Sequence, residues 1–180
     1  MELFYQLLSS VHYMHRVGYA HGDLKPQNIQ FRRPPNPLQC PAPVIIDFGS
    51  ASKATAVDNL TASLRYSPPE ILNALVRGRV PDTGIRADKV DVWSLGVMLY
   101  EIVTGQQLFN QRSKNQITTT IMRGKLRKMS EISPTTPGSL DKYLAVMLRM
   151  EAKNRPDTGQ LLKALEERIQ SVRAPRVAYG

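Results

Sequence analysis

The sequence predicts a mostly helical α+β fold in which a small β-hairpin carries the polar motifs. Apolar residues recur at helical spacing through most of the 180-residue chain, a pattern that marks amphipathic or buried helices. Only two short runs, "NIQF" and "VIIDF", read as strands. Between them lies "RRPPNPLQCPAP", whose five prolines exclude regular structure because each lacks a backbone donor and fixes its own φ. A hairpin with a long, stiff connection results.

Taken in order, an opening helix is expected from about Glu2 to Val17, with Leu3, Leu7, Val11 and Met14 on one face and Gly18 ending it. The run "HGDLKPQN" follows at once, at residues 21–28. Proline restricts itself and its predecessor, so this run reads as a rigid loop that aims Asp23, Lys25 and Asn28 at one point. After the hairpin, a helical pattern from Asp88 to Thr104 closes on Gly105, and two more helices are expected around Asn115–Met122 and Leu140–Met150. The last helix has the clearest start. Asp157 followed by Gln160 forms a capping box, and Leu161, Leu162, Leu165 and Ile169 supply its apolar face.

A hydrophobic content of 42% suits one substantial core in a single domain. The formal charge of +9 draws the protein toward anions. There is no zinc-like pairing, aromatic-rich RNA motif or basic zipper, so no specific nucleic acid is expected as a partner. The single cysteine, Cys40, has no internal partner and fits a reducing compartment. The first residues lack the basic start and unbroken apolar run of a secretory signal. The longest apolar run, "VWSLGVMLYEIV", is too short for a membrane span and contains Glu101. These features predict an intracellular location, cytoplasmic or nuclear, with no membrane partner.

The hairpin's second strand leads into "DFG", Asp47 to Gly49, so a loop and a strand end can converge. Magnesium takes hard oxygen ligands, often one or two from protein and the rest from water and phosphate. Asn28 and Asp47 suffice for that. Asp23 is then free to orient a hydroxyl and accept its proton, and Lys25 to set a positive charge against a transferring phosphoryl group. His12 and His15, three apart on the opening helix, are expected to serve the surface or the core rather than a metal.

These residues carry a resemblance to eukaryotic protein kinases of the serine/threonine type. "HGDLKPQN" resembles their catalytic loop, "DFG" their magnesium motif and "SPPE" at 67–70 a variant of their A-P-E motif. "DVWSLGVMLYEIVTG" resembles their long central helix, and "NRP" at 154–156 the site whose arginine pairs with the A-P-E glutamate. Five motifs in the family's order span essentially the whole chain. The resemblance implies ATP and Mg2+ as cofactors and a protein substrate with a serine or threonine acceptor.

By that resemblance Asp23 is the catalytic base and Lys25 supports the γ-phosphate, while Asn28 and Asp47 hold magnesium. Lys25, Asn28, Gln30 and Asp47 form the nucleotide side, with Gln30 where members normally place an apolar side chain under adenine. Ser63 and Glu101 position the substrate, Glu101 through a basic residue near the acceptor. Support comes from His21, Phe48 and Gly49, from a buried Glu70–Arg155 ion pair, and from Asp91, which braces the loop backbone. Gly22 stands where many members have arginine, and the segment between Glu70 and Asp91 is longer than usual.

The resemblance also implies that residues 1–173 form the C-terminal lobe alone, with a tail at 174–180. No glycine-rich loop, V-A-I-K lysine or partner glutamate precedes the opening helix, so the expectation is that the N-terminal lobe is absent and that this chain by itself is inactive. The exposed inter-lobe face then invites a partner. One alternative is a non-catalytic kinase-like module that binds protein through that face. Another is a small-molecule phosphotransferase, since "HGDLKPQN" also resembles the H-G-D-x-x-x-x-N loop of aminoglycoside phosphotransferases; "SPPE", "DVWSLG" and "NRP" argue against it.

Overall fold

The computed structural model describes residues 1–33, 36, 39–57, 63–78, 84–124, 126, 128–134, 136 and 138–173. The 174–180 tail and Pro34, Pro35 and Pro37 of the hairpin connection lie outside these residues. Among them the architecture is mostly helical, with two small antiparallel ribbons. The helices are α1 (Glu2–Arg16), α2 (Pro69–Val76), α3 (Ala87–Thr104), α4 (Lys114–Arg123), α5 (Met129–Ile132), α6 (Gly138–Met147) and α7 (Thr158–Arg173). The strands are β1 (Tyr19–Ala20), β2 (Ile29–Arg32), β3 (Ala42–Ile45) and β4 (Ser52–Lys53), with β1 paired to β4 and β2 to β3. No helix among the described residues is long and apolar enough to cross a membrane.

Helix α3 is the centre of the fold. Val90 through Tyr100 are all buried, so over this span the helix has no face exposed to solvent, as expected of a helix enclosed by others. It ends at Gly105, whose φ of 67° continues the turn in the left-handed conformation. Helices α1, α5 and α6 pack around it. Each fully buried Leu, Val or Phe of this core contributes about 1.5–3 kcal/mol of transfer free energy.

Helix α1 buries Phe4, Leu7, Leu8 and Val11. Two of the four positions expected on its inner face, Leu3 and Met14, are only half-buried. The buried stripe is turned because α1 must satisfy α7 as well as α3 and the β2–β3 ribbon. The Tyr5 hydroxyl donates to Glu166 Oε1 of α7 at 2.9 Å. The α7 start matches its capping box: Asp157 N–H donates to Gln160 Oε1 at 3.0 Å and Gln160 N–H to Asp157 Oδ1 at 2.8 Å.

Three expectations need correction. The strand in "VIIDF" stops at Ile45, so Asp47 and Phe48 lie in the turn beyond it. Pro43, one of the prolines taken to exclude regular structure, sits within β3 opposite Phe31. Ile46 N–H donates to Asn28 O at 2.9 Å, and hydrogen-bonded pairs alternate along an antiparallel ladder. The Phe31–Pro43 pair is therefore a non-hydrogen-bonded one, and the proline nitrogen faces outward where no ladder donor is needed. Helix α6 ends at Met147, short of the expected Met150, because the chain turns there to bring Arg149 and Met150 carbonyls onto Arg155.

Arg155 is the second organising group. Its side chain is buried, and all five of its N–H groups are used. Two form a fork onto Glu70 at 2.6 and 2.8 Å; the others reach the carbonyls of Arg149, Met150 and Lys89 at 2.8, 3.3 and 3.0 Å. The guanidinium also lies 5.0 Å from the Trp93 ring centroid, a distance at which a cation is drawn to the ring face. Thus α2, α3 and the segment before α7 meet at one planar cation. We expect Arg155→Lys to lower unfolding free energy by about 3–5 kcal/mol, because an ammonium cannot fill the fork; chemical denaturation measures it, and a loss within noise would mean that the fork is not what holds α2.

Candidate active site

The loop that follows β1 is fixed from below by Asp91 of α3. This carboxylate is fully buried, and it accepts from His21 N–H at 2.8 Å, Gly22 N–H at 2.9 Å and His15 Nε2 at 2.9 Å. Buried carboxylates need such compensation. His15 is therefore a core ligand of Asp91, and His12 contacts Thr158 Oγ1 at 3.1 Å, in keeping with the structural roles expected for both. No group of three or more metal-capable side chains occurs among the described residues.

His21 links the loop to the hairpin. Its Nδ1 accepts from Asp23 N–H at 3.2 Å, so Nε2 carries the proton and donates to Ile46 O at 3.0 Å. Gly22, between them, has φ +79°, and a Cβ there would lie 2.6 Å from the Ser50 carbonyl oxygen. The position needs glycine on both counts. That explains the absence of the arginine found in many similar loops.

Beyond Gly22 the chain is extended, which puts Asp23 and Lys25 on one side and buries Leu24 on the other. Lys25 Nζ sits 2.5 Å from Asp23 Oδ2 and 2.9 Å from Ser63 Oγ. Pro26 opens a single tight turn that ends at Asn28. Asn28 is buried, and its amide N–H donates to the Asp23 carbonyl at 2.9 Å, leaving the Oδ1 end as a ligand. Its backbone carbonyl accepts from Ile46 N–H, so Asp47 emerges one residue past the point of pairing with Asn28. Asp47 is exposed in the left-handed region at φ 63°, which aspartate tolerates better than most residues, and its Oδ1 accepts from Gly49 N–H at 3.3 Å. Phe48 is exposed but stays 5.4 Å from the His21 ring. A buried amide oxygen and an exposed carboxylate are the hard oxygen donors that could hold magnesium shared with phosphate.

Ser63 is held by groups that carry no sequence signal. Ser67 Oγ donates to Ser63 O at 3.1 Å, Ser94 Oγ to Tyr66 O at 2.8 Å, and Arg65 reaches the carbonyls of Phe109 and Gln111. Ser63 and Lys25 border an open cleft of about 650 Å³ that continues to Arg112 and Lys114. Gln30 is exposed on β2 and solvated, while Ile29 and Phe31 turn to the opposite face. There they line an apolar groove with Leu3, Leu7 and Met98.

Glu101 borders that groove and not the cleft of Lys25 and Ser63. Its oxygens accept from the Tyr66 hydroxyl at 3.0 and 3.3 Å. Burial raises its carboxyl above the ordinary range against the lowering effects of Tyr66 and Arg65. The Tyr66 phenol is pushed up by burial and by the Glu101 charge. Glu70, Asp91 and Arg155 lie behind the site and hold its frame.

A family model described as "Protein kinase domain" matches residues 1–165. Sperm motility kinase 3A of Mus musculus is 32% identical over 163 residues, covering 89% of this chain and 29% of that protein. Serine/threonine-protein kinase H1 of Homo sapiens is 28% identical over 157 residues, covering 87% of this chain and 35% of that protein. Wee1-like protein kinase of Arabidopsis thaliana is 32% identical over 168 residues, covering 90% and 28%. The chain therefore spans about a third or less of these relatives' lengths.

Gly22→Ala is expected to cost about 1–3 kcal/mol, read by thermal or chemical melting, since both the backbone sign and the Ser50 carbonyl oppose a Cβ; an unchanged melt would show the approach to be loose. Glu101 gives a pH-dependent outcome. Its folded-state value is raised, so its contribution is full below the unfolded carboxylate value and lost as pH rises through the folded one. Glu101→Gln keeps an acceptor for Tyr66 and removes that loss. Its Tm should equal the parent's near pH 4 and exceed it by about 1–3 °C at pH 7; a lower Tm at pH 7 would refute the burial argument.

Proposed function

The chain belongs to the protein kinase superfamily, and we propose that it is the C-terminal lobe of a serine/threonine kinase which, as part of the complete protein, transfers the γ-phosphate of ATP to a protein hydroxyl. The observation that supports this best is the Lys25 ammonium held between Asp23 and Ser63, at 2.5 and 2.9 Å. An acceptor hydroxyl beside Ser63 meets the Asp23 carboxylate for its proton and the Lys25 charge for the incoming phosphoryl group. The hydroxyl oxygen bonds to the γ-phosphorus, the bond to the β-phosphate oxygen breaks, and the proton passes to Asp23.

In this reading Asn28 and Asp47 hold magnesium, which when bound neutralises charge on the phosphates. Asn28 does so with its carbonyl end, because its N–H end is committed to Asp23. Lys25 holds the Asp23 side chain in place until substrate arrives, then donates to the phosphate. Asp91 and His21 hold the loop backbone, and Glu70 with Arg155 holds the segment that carries Ser63. A serine or threonine acceptor fits the lysine two positions after Asp23, and action inside the cell accords with a lone, exposed Cys40.

The test is phosphotransfer to a serine-containing protein substrate by this chain together with any further residues its gene encodes. Asp23→Asn should lower kcat by about 100-fold or more with ATP binding retained, whereas Asp47→Ala should abolish magnesium-dependent ATP binding in calorimetry. Full phosphotransfer by Asp23→Asn would overturn the role given to Asp23.

A further inference from the structure

The cleft beside Ser63 has a one-sided charge. Lys25, Arg65, Arg112 and Lys114 all line it, and among the described residues no aspartate or glutamate does. Lys25 is neutralised by Asp23. Arg65 is immobilised by the carbonyls of Phe109 and Gln111, and Glu101, whose carboxyl it lowers, offsets part of its charge. Arg112 and Lys114 are exposed and have no ion pair among the described residues.

The helix beneath reinforces this. Lys114 is the first residue of α4, a turn in which helices favour acids, and that turn contains none. The partial positive charge of the helix start therefore adds to the two free cations. The rest of the lining is neutral: Leu64 and the buried Ile117, with Gln27 and Asn28. Among the described residues the one aromatic ring in the lining, Tyr66, is buried and its hydroxyl is tied to Glu101. Stacked bases need an exposed ring, so an extended peptide suits this wall better than a nucleic acid.

We propose that this cleft takes an acidic peptide segment, with its hydroxyl residue at Lys25 and Ser63 and its carboxylates against Arg65, Arg112 and Lys114. Under the kinase reading, on which the placement of the hydroxyl rests, the enzyme selects serines or threonines with aspartate or glutamate nearby. This differs from the basic preference that Glu101 implied, and the structure supplies a reason. Both Glu101 oxygens face the Tyr66 hydroxyl, and the carboxylate borders the apolar groove instead.

Binding can be tested without ATP, by fluorescence anisotropy of the 180-residue chain with a labelled serine peptide rich in glutamate and its lysine-rich counterpart. The acidic peptide should bind about tenfold more tightly or better, and the preference should weaken as salt rises. Arg112→Glu with Lys114→Glu should remove it, whereas Lys142→Glu with Lys163→Glu, an equal change in net charge on other helices, should leave it within about twofold. Equal loss in both variants would show general attraction to a basic protein and overturn the proposal. So would a lysine-rich preference, or displacement of the acidic peptide by a single-stranded oligonucleotide of the same charge at lower concentration. The phosphotransfer assay separates the two readings: acid-selective binding without phosphotransfer leaves the cleft standing and removes the kinase role, and phosphotransfer without acid selection does the reverse.

Discussion

One carboxylate with no access to water sets the geometry on which the rest of the site depends. Asp91 projects from the second turn of the most enclosed helix, and every donor that compensates its burial comes from elsewhere: a side chain of α1 and two consecutive backbone amides of the loop after β1. A buried charge that lost these donors would cost several kcal/mol, so the loop backbone has one low-energy position relative to α3. Asp23, Lys25 and Asn28 inherit that position. Their own contacts are partly exposed and would not hold a loop alone.

The second fixed point is Arg155, and the two divide the work. Asp91 anchors the loop that bears Asp23, while Arg155 holds Glu70 and so α2, just after the segment that bears Ser63. Ser94, four residues along from Val90 on α3, joins them by donating to the Tyr66 carbonyl. The contact between Lys25 and Ser63 is thus the meeting of two segments that are each nailed to α3 by a different polar anchor. A rigid frame around part-buried polar groups is the arrangement that close positioning demands.

Much of this could be read in the sequence. The closing Gly105, the capping box at Asp157 and the largely apolar run of α3 are local signals, and local physics decided those elements. The proline-bearing loop was legible as rigid for the same reason. What could not be read depends on distant neighbours. Helix α2 is two turns long, so its amphipathic pattern is too short to register, and it exists because Arg155 holds its first turn. The α1 stripe keeps Leu7 and Val11 but takes Phe4 and Leu8 in place of Leu3 and Met14, because α7, which it meets, lies far away in sequence. The roles of Tyr66, Ser67 and Ser94 were invisible, since a lone hydroxyl next to a carbonyl has no pattern in one dimension. Glu101 shows the limit most plainly: its position in the chain says nothing about which of two adjoining hollows its carboxylate will border.

Pro43 has a consequence beyond the hairpin. A two-stranded ribbon leaves each strand with an outer edge, and the outward amides of such an edge can recruit a strand from another molecule. At residue 43 that outward amide does not exist, and the ring stands in its place beside an exposed Phe31. Pro43 is itself buried, where a backbone donor without a partner is costly. The residue that leaves the ladder intact therefore also leaves no orphaned N–H in the interior.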